Sequence, residues 1–144
     1  MQHINAGGLA LLESSEELRL TAYKDVGGVW TIGWGSTKAV HEGMVITRKE
    51  AEQRLYSDLS DAEQAVCHNV RVPLNDYQFS ALVLFVFNVG ETQFRKSTLL
   101  KKLNVCLYND VASELSKWVY IKGVRSTGLI NRRKAESDLF YRVT

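Results

Sequence analysis

The chain is poor in the residues that staple, bind metal or span. Only two cysteines, Cys67 and Cys106, occur in 144 residues, and neither sits in a Cys-x-x-Cys pair. That excludes a disulfide scaffold and a zinc finger, and both thiols read as small buried side chains. His3, His41 and His68 share no ligand spacing, so no metal site is expected. A single proline, Pro73, leaves no Pro-rich linker. The longest strongly apolar run, Ala81 to Phe87, is far too short to cross a bilayer. No basic stretch followed by an apolar one opens the sequence, so neither a membrane span nor a signal peptide is expected. What remains is ordinary for one globular domain: 45% hydrophobic and 24% charged residues over a length that builds a core without staples.

Charge is unevenly placed. The net value is only +2. Residues 1–90 carry seven Lys/Arg against eleven Asp/Glu, and residues 91–144 carry eleven against five. A basic second part either attracts an anionic polymer or is simply solvated. Its densest cluster, Arg132-Arg133-Lys134 with Lys122 and Arg125 upstream, reads as the solvated face of a terminal helix with internal ion pairs. No nucleic-acid motif accompanies it, so nucleic acid is not an expected partner.

Periodicity predicts one helix over residues 5–18, then short β-rich stretches at Leu20–Lys24 and Val29–Ile32 around Asp25-Val-Gly-Gly28. Glycine-punctuated sequence runs on to Gly43, which together predicts a three-strand β insert. Beyond it every element reads as helical. Thr47-Arg-Lys-Glu50 is a capping box that starts a helix to about His68, and Asn75-Asp-Tyr-Gln78 caps another over Asp76–Asn88. The latter is apolar nearly all round, the signature of a buried central helix, and Gly90 ends it as a left-handed cap. Further helices are expected at Ser97–Leu103, Asn109–Val119 and Gly128–Arg142. Trp118 is expected in the core.

Three polar residues stand where chemistry is possible. Glu16 ends the first helix, Asp25 opens the hairpin turn, and Thr31 lies on the returning strand. A hairpin folds Asp25 toward Thr31, and the short Leu18–Lys24 connection keeps Glu16 nearby. Two carboxylates flanking a cleft suit glycosidic hydrolysis, in which one gives a proton to the departing sugar oxygen and the other serves the opposite face. Spacing alone equally allows a surface Glu and an ordinary turn-forming Asp.

The order of motifs separates these readings. Glu16-Glu-Leu-Arg-Leu-Thr-Ala-Tyr-Lys-Asp25 followed by Gly28-Val-Trp-Thr31-Ile-Gly-Trp-Gly35 resembles the phage-type lysozymes, the muralytic endolysins of tailed bacteriophages. The likeness continues through Val72-Pro-Leu, Gln78-Phe-x-Ala-Leu, Phe87-Asn-Val-Gly90, Ser97-Thr-Leu-Leu, Leu103-Asn, Trp118 and Gly128-Leu-x-x-Arg-Arg133.

The resemblance implies an α+β, mostly α fold with two lobes. A small β-containing lobe of about 15–46 would join, through a helix of about 47–68, a helical lobe of about 69–144 that includes the N-terminal helix. It further implies hydrolysis of the β-1,4 bond between N-acetylmuramic acid and N-acetylglucosamine in a peptidoglycan strand, and no cofactor. Glu16 would be the general acid, Asp25 the carboxylate of the opposite face, and Thr31 a holder of the attacking water. Inversion, the family's outcome, needs carboxyls roughly 6.5–9.5 Å apart. Phe87 and Asn88 would line the cleft from the helical side; otherwise they are core and cap. Trp34, with Trp30, is either a sugar platform or, the commoner use of strand aromatics, packing. The expected protein is a monomer in the host bacterial cytoplasm, released to the periplasm by a separate holin without inserting in the membrane itself.

Two positions depart from the family pattern. Glu17 replaces the usual glycine after the catalytic Glu, and Ser36 replaces a histidine that normally pairs with a carboxylate. These departures keep open a non-catalytic wall-binding homologue, and a lytic transglycosylase is the alternative chemistry.

Overall fold

The computed structural model describes residues 1–143. Helix α1 (Ala6–Ser15) starts at Asn5, whose side chain accepts from the Gly8 N–H, and stops because Glu16 is extended at φ −114°, ψ 129°. It is thus shorter than its apolar periodicity predicts. The chain turns directly into β1 (Arg19–Lys24), which pairs antiparallel with β2 (Trp30–Gly33). A third strand is not formed as such. Thr21 and Val45 make an isolated bridge, supported by Ala22 N–H to Met44 O at 2.8 Å and Ile46 N–H to Leu20 O at 2.9 Å. The intervening segment bends at Gly33, Gly35 and Gly43, all at positive φ, so the expected three-strand insert is a hairpin with a bridged loop.

Helix α2 (Arg48–Asn69) and helix α3 (Asp76–Val89) both begin in complete capping boxes, Thr47 with Glu50 and Asn75 with Gln78. Phe79 through Val86 are buried without interruption, which places α3 at the centre of the main core. Gly90 has φ +89° but ψ 156°, so it is no left-handed helical cap. That extended glycine instead ends α3 and starts α4 (Glu91–Lys96), a helix the periodicity did not predict. Helix α5 (Thr98–Leu103) is followed by a turn in which Cys106 is exposed at φ +65°, contrary to the buried thiol expected.

The helix expected over Asn109–Val119 is a 3₁₀ turn, Tyr108–Asp110, plus the short α6 (Val111–Leu115). A second hairpin then pairs β3 (Tyr120–Ile121) with β4 (Val124–Arg125) around Lys122 and Gly123, at φ +50° and +80°. Two successive positive φ values are what a tight two-residue turn requires. Helix α7 (Thr127–Phe140) closes the chain against α3.

A smaller apolar cluster, Ile32, Ile46 and Ala51, lies under the β1–β2 hairpin, and Trp34 packs against both clusters. Helix α1 reaches α3 through Gly8, where a Cβ would stand 2.9 Å from Ser80 Cβ and 2.7 Å from Ile4 Cγ1. Gly8→Ala therefore destabilises the protein by about 1–2 kcal/mol despite alanine's helix preference, as urea denaturation will read.

Candidate active site

The end of α1 delivers Glu16 to the lining of a cleft of about 880 Å³. The Glu16 carboxylate comes to rest on Gly35. A Cβ at Gly35 would lie 2.8 Å from Glu16 Oε2 and 3.0 Å from its Cδ, so only glycine permits this approach. The same carboxylate accepts from Arg132 Nη2 at 2.7 Å, and both side chains are largely enclosed. Arg132 comes from α7, 116 residues away, so the pair ties the two ends of the sequence together.

Asp25 organises its own turn. Its Oδ1 accepts the Gly27 and Val29 N–H groups, both at 2.9 Å, which fixes the carboxyl orientation through backbone donors. Thr31 is 4% exposed, yet it still reaches the cleft lining, and its hydroxyl donates to Val29 O at 2.9 Å. Glu16, Asp25 and Thr31 all line one cleft of about 880 Å³. The same cleft is lined by Phe87 and Asn88 at the end of α3, Trp118, Tyr120 of β3, and Leu129, Asn131 and Arg132 of α7.

Phe87 and Asn88 therefore both face the cleft. Trp34 does not: it packs between the two apolar clusters with the Arg48 guanidinium 5.6 Å from its ring centre. Trp30 is likewise absent from the cleft lining and carries Lys24 Nζ at 5.4 Å from its ring. Trp118 does both jobs, meeting Phe85 edge-on at 5.4 Å while lining the cleft. Tyr23 was missed by sequence reasoning, although it stands in the Tyr-x-Asp pattern. Burial pushes its phenol above the usual range, and the negative charges of Glu16 and Asp25 add to that despite Arg19.

Lys122 and Arg125 of the basic cluster are exposed as expected, but Arg132 and Arg133 are not part of a solvated face. Arg132 is spent on Glu16, and Arg133 is 2% exposed and donates to the Asn88 side chain. Of Arg132, Arg133 and Lys134, only Lys134 is exposed.

A family profile for phage lysozyme matches residues 13–136, a span that contains Glu16, Asp25, Thr31 and Arg132. The chain belongs to the phage lysozyme family. An endolysin of Acyrthosiphon pisum secondary endosymbiont phage 1 is 42% identical over 142 residues, covering 96% of this chain and 97% of that protein. The muramidase domain of SpmX from Asticaccaulis excentricus superposes with a TM-score of 0.87 at 33% identity, covering 99% of this chain and all of that one. An endolysin from Escherichia coli O157:H7 phage FAHEc1 gives 0.84 at 36% identity, over 98% and 94% of the two chains.

Both departures of this phage lysozyme from the family pattern have a place in the structure. Glu17 lies outside the cleft lining, exposed and 3.5 Å from Arg19. Ser36 is buried and accepts from Arg54 at 3.3 Å, close to Asp58, whose carboxyl is pushed above its ordinary value by burial although Ser36 works against the shift.

Two predictions follow from this geometry. Gly35→Ala adds a methyl group where the Glu16 carboxylate sits and strains a residue at φ +77°. Its rate of muropeptide release falls roughly 10–100-fold, since ångström-scale misplacement of a reacting group costs that much.

The second concerns pH. Glu136 on α7 is pushed up to about 7 by burial, against the nearby charges of Arg133 and Arg132. Its folded form thus holds a proton more tightly than its unfolded form, and the associated stability is lost as pH rises through 7. Unfolding free energy falls by about 2 kcal/mol between pH 5 and pH 8 from this group, measurable by urea denaturation at the two values.

Proposed function

We propose that this phage lysozyme is an endolysin that hydrolyses the β-1,4 bond between N-acetylmuramic acid and N-acetylglucosamine in peptidoglycan. The reading rests on one observation: Glu16, Asp25 and Thr31 line a single cleft. Glu16 gives its proton to the departing sugar oxygen, and Arg132, bonded to it at 2.7 Å, orients the carboxyl for that transfer. The carboxylate of Asp25 serves the opposite face, stabilising positive charge on the sugar and polarising the attacking water. Its Oδ1 is held by two backbone N–H groups, so its orientation is settled before substrate arrives. The Thr31 hydroxyl, whose hydrogen is directed to Val29 O, offers its oxygen to the hydrogens of that water. Side-chain acid–base chemistry suffices, and the reaction needs no cofactor.

A polymer suits the shape of the site. A second cavity of about 540 Å³ shares Gly35, Thr37 and Phe87 with the cleft, so the groove continues beyond the carboxylates along α2. A glycan strand can pass through such a groove, with Tyr23, Phe87, Trp118 and Tyr120 offering apolar faces to sugar rings. The whole chain acts as one lysozyme domain: the small part of about 15–46, the connecting helix of about 47–68, and the helical part of about 69–144 with α1. No helix among the described residues is long and apolar enough to cross a membrane. The protein works as a monomer, accumulates in the host cytoplasm and reaches the periplasm through a separate holin.

Mass spectrometry of digested peptidoglycan tests the reaction. Products ending in reducing N-acetylmuramic acid are expected. A 1,6-anhydro product would replace hydrolysis by transglycosylation, and wall binding without products would reduce the protein to a binding module.

A further inference from the structure

Behind the Arg132–Glu16 pair, α7 buries a second pair of charges. Glu136 is 1% exposed and Arg133 2% exposed. Arg133 Nε approaches Glu136 Oε1 to 3.3 Å, but the two are not aligned as a hydrogen bond. Both Glu136 oxygens lack a hydrogen-bond partner among the described residues, as do Arg133 Nε and Nη1. A charged carboxyl taken from water without hydrogen bonds is one of the costliest groups a fold can retain.

Its surroundings give that cost a purpose. A cavity of about 10 Å³ between α1, α3 and α7 is lined by Ser15, Arg132 and Glu136 with Leu11, Leu12 and Leu84. That volume is about one water molecule, and Ser15, Arg132 and Glu136 offer it polar partners. The charged neighbours of Glu136 are Arg132 and Arg133 on its own helix, with Glu16 at the end of α1 reached through Arg132. Helix α3 brings Leu84 and the uncharged Asn88, and on α6 Glu114 is already held by Lys102 and Lys117. Two guanidinium groups and two carboxyls therefore form one cluster, with Glu16 at its cleft end and Glu136 at its buried end.

We propose that Glu136 is a positioning residue for the reaction assigned above, balancing the Arg132–Arg133 charges through a single bound water and so setting the charge that Arg132 presents to Glu16. With Glu136 ionised, Arg132 is counterbalanced and can orient Glu16 without holding it permanently as a carboxylate. With that charge removed, Arg132 attracts negative charge onto Glu16 more strongly, and fewer molecules carry the catalytic proton at a given pH. The raised carboxyl of Glu136 places this effect near neutrality. The inference depends on Glu16 being the general acid.

The test is the pH profile of muropeptide release by wild type and Glu136→Gln. The variant is expected to melt above wild type at pH 8, because a neutral amide avoids the cost of ionising a buried carboxyl. At that pH its kcat falls about tenfold, within the range of coupling between members of one charged network. At pH 5, where Glu136 is protonated in wild type, the deficit shrinks to about twofold or less, and the alkaline limb moves to lower pH by about one unit. A purely structural role predicts the same ratio at every pH, and a flat ratio overturns the proposal.

Carboxyl ¹³C NMR of the wild-type protein keeps the question open to refutation if the variant fails to fold. A Glu16 Cδ signal that responds where Glu136 titrates supports the coupling, and one that ignores it defeats it. Wild type that yields no muropeptides defeats the functional reading itself, whereas normal cutting with a flat ratio defeats only the role of Glu136.

Discussion

Protein carrying Glu16→Gln folds like wild type but leaves outer-membrane-permeabilised Gram-negative cells turbid. The amide keeps the size of the carboxyl, and its oxygen can still accept from Arg132 Nη2, so the link between α1 and α7 survives without its full charge. Glu16 caps α1 through its backbone N–H to Leu12 O at 3.0 Å, a bond the substitution leaves alone. What the amide cannot do is release a proton to the departing sugar oxygen. General acid catalysis alone contributes about 10²–10⁴-fold, and the electrostatics around it add to that. Clearing rates therefore fall by roughly 10³-fold or more, while unfolding free energy changes by about 1 kcal/mol or less. Rapid clearing by this variant would strip Glu16 of its role and leave the cleft without an acid.

The parts of this site that local sequence rules govern were legible in advance. Glu16 marks a helix end, Asp25 is a turn former, and both capping boxes formed as written. The unbroken apolar run of α3 announced a helix with no face toward water, and Phe79 through Val86 are buried accordingly. Motif order then supplied what spacing could not, namely that Glu16, Asp25 and Thr31 share one cleft.

Long-range choices were not legible. Arg132 and Arg133 look like ordinary surface charges on a terminal helix, and only packing α7 against α3 and the end of α1 turns them inward. Trp34 looks like its strand neighbours, yet the loop bending at Gly33 and Gly35 carries it between two apolar clusters. The β3–β4 hairpin is too short for a period-two signal, since each strand has only two residues. Gly123 was the available clue, because glycine at the second position of a two-residue turn is half of a hairpin signature; Lys122, at φ +50°, lacks the Asn, Asp or Gly that completes it. The replacement of histidine by Ser36 also acquired meaning only in three dimensions. Asp58 is half-buried beside Ser36, and Arg54 donates to the Ser36 hydroxyl, so position 36 sits among charged groups that the sequence alone does not bring together.

Asp25→Asn should separate the two duties of that side chain. Oδ1 of Asp25 holds the hairpin turn by accepting from Gly27 and Val29 at 2.9 Å each, and an asparagine oxygen can accept both bonds unchanged. The backbone bonds of the same turn, Asp25 N–H to Val29 O and Gly28 N–H to Asp25 O, do not involve the side chain at all. The turn therefore persists, and thermal unfolding shifts by no more than a few degrees. The negative charge facing the substrate is lost, and with it the stabilisation of positive charge that develops on the sugar ring. Muropeptide release drops about 10²–10³-fold, less than for Glu16→Gln, because a water held by Thr31 can still attack without a full charge behind it. Asp25→Ala removes both duties and adds a stability loss of about 1–2 kcal/mol from the two abandoned N–H groups. If Asp25→Asn cut at the wild-type rate while Asp25→Ala failed only through unfolding, Asp25 would be a turn former and the opposite face of the cleft would need another carboxylate.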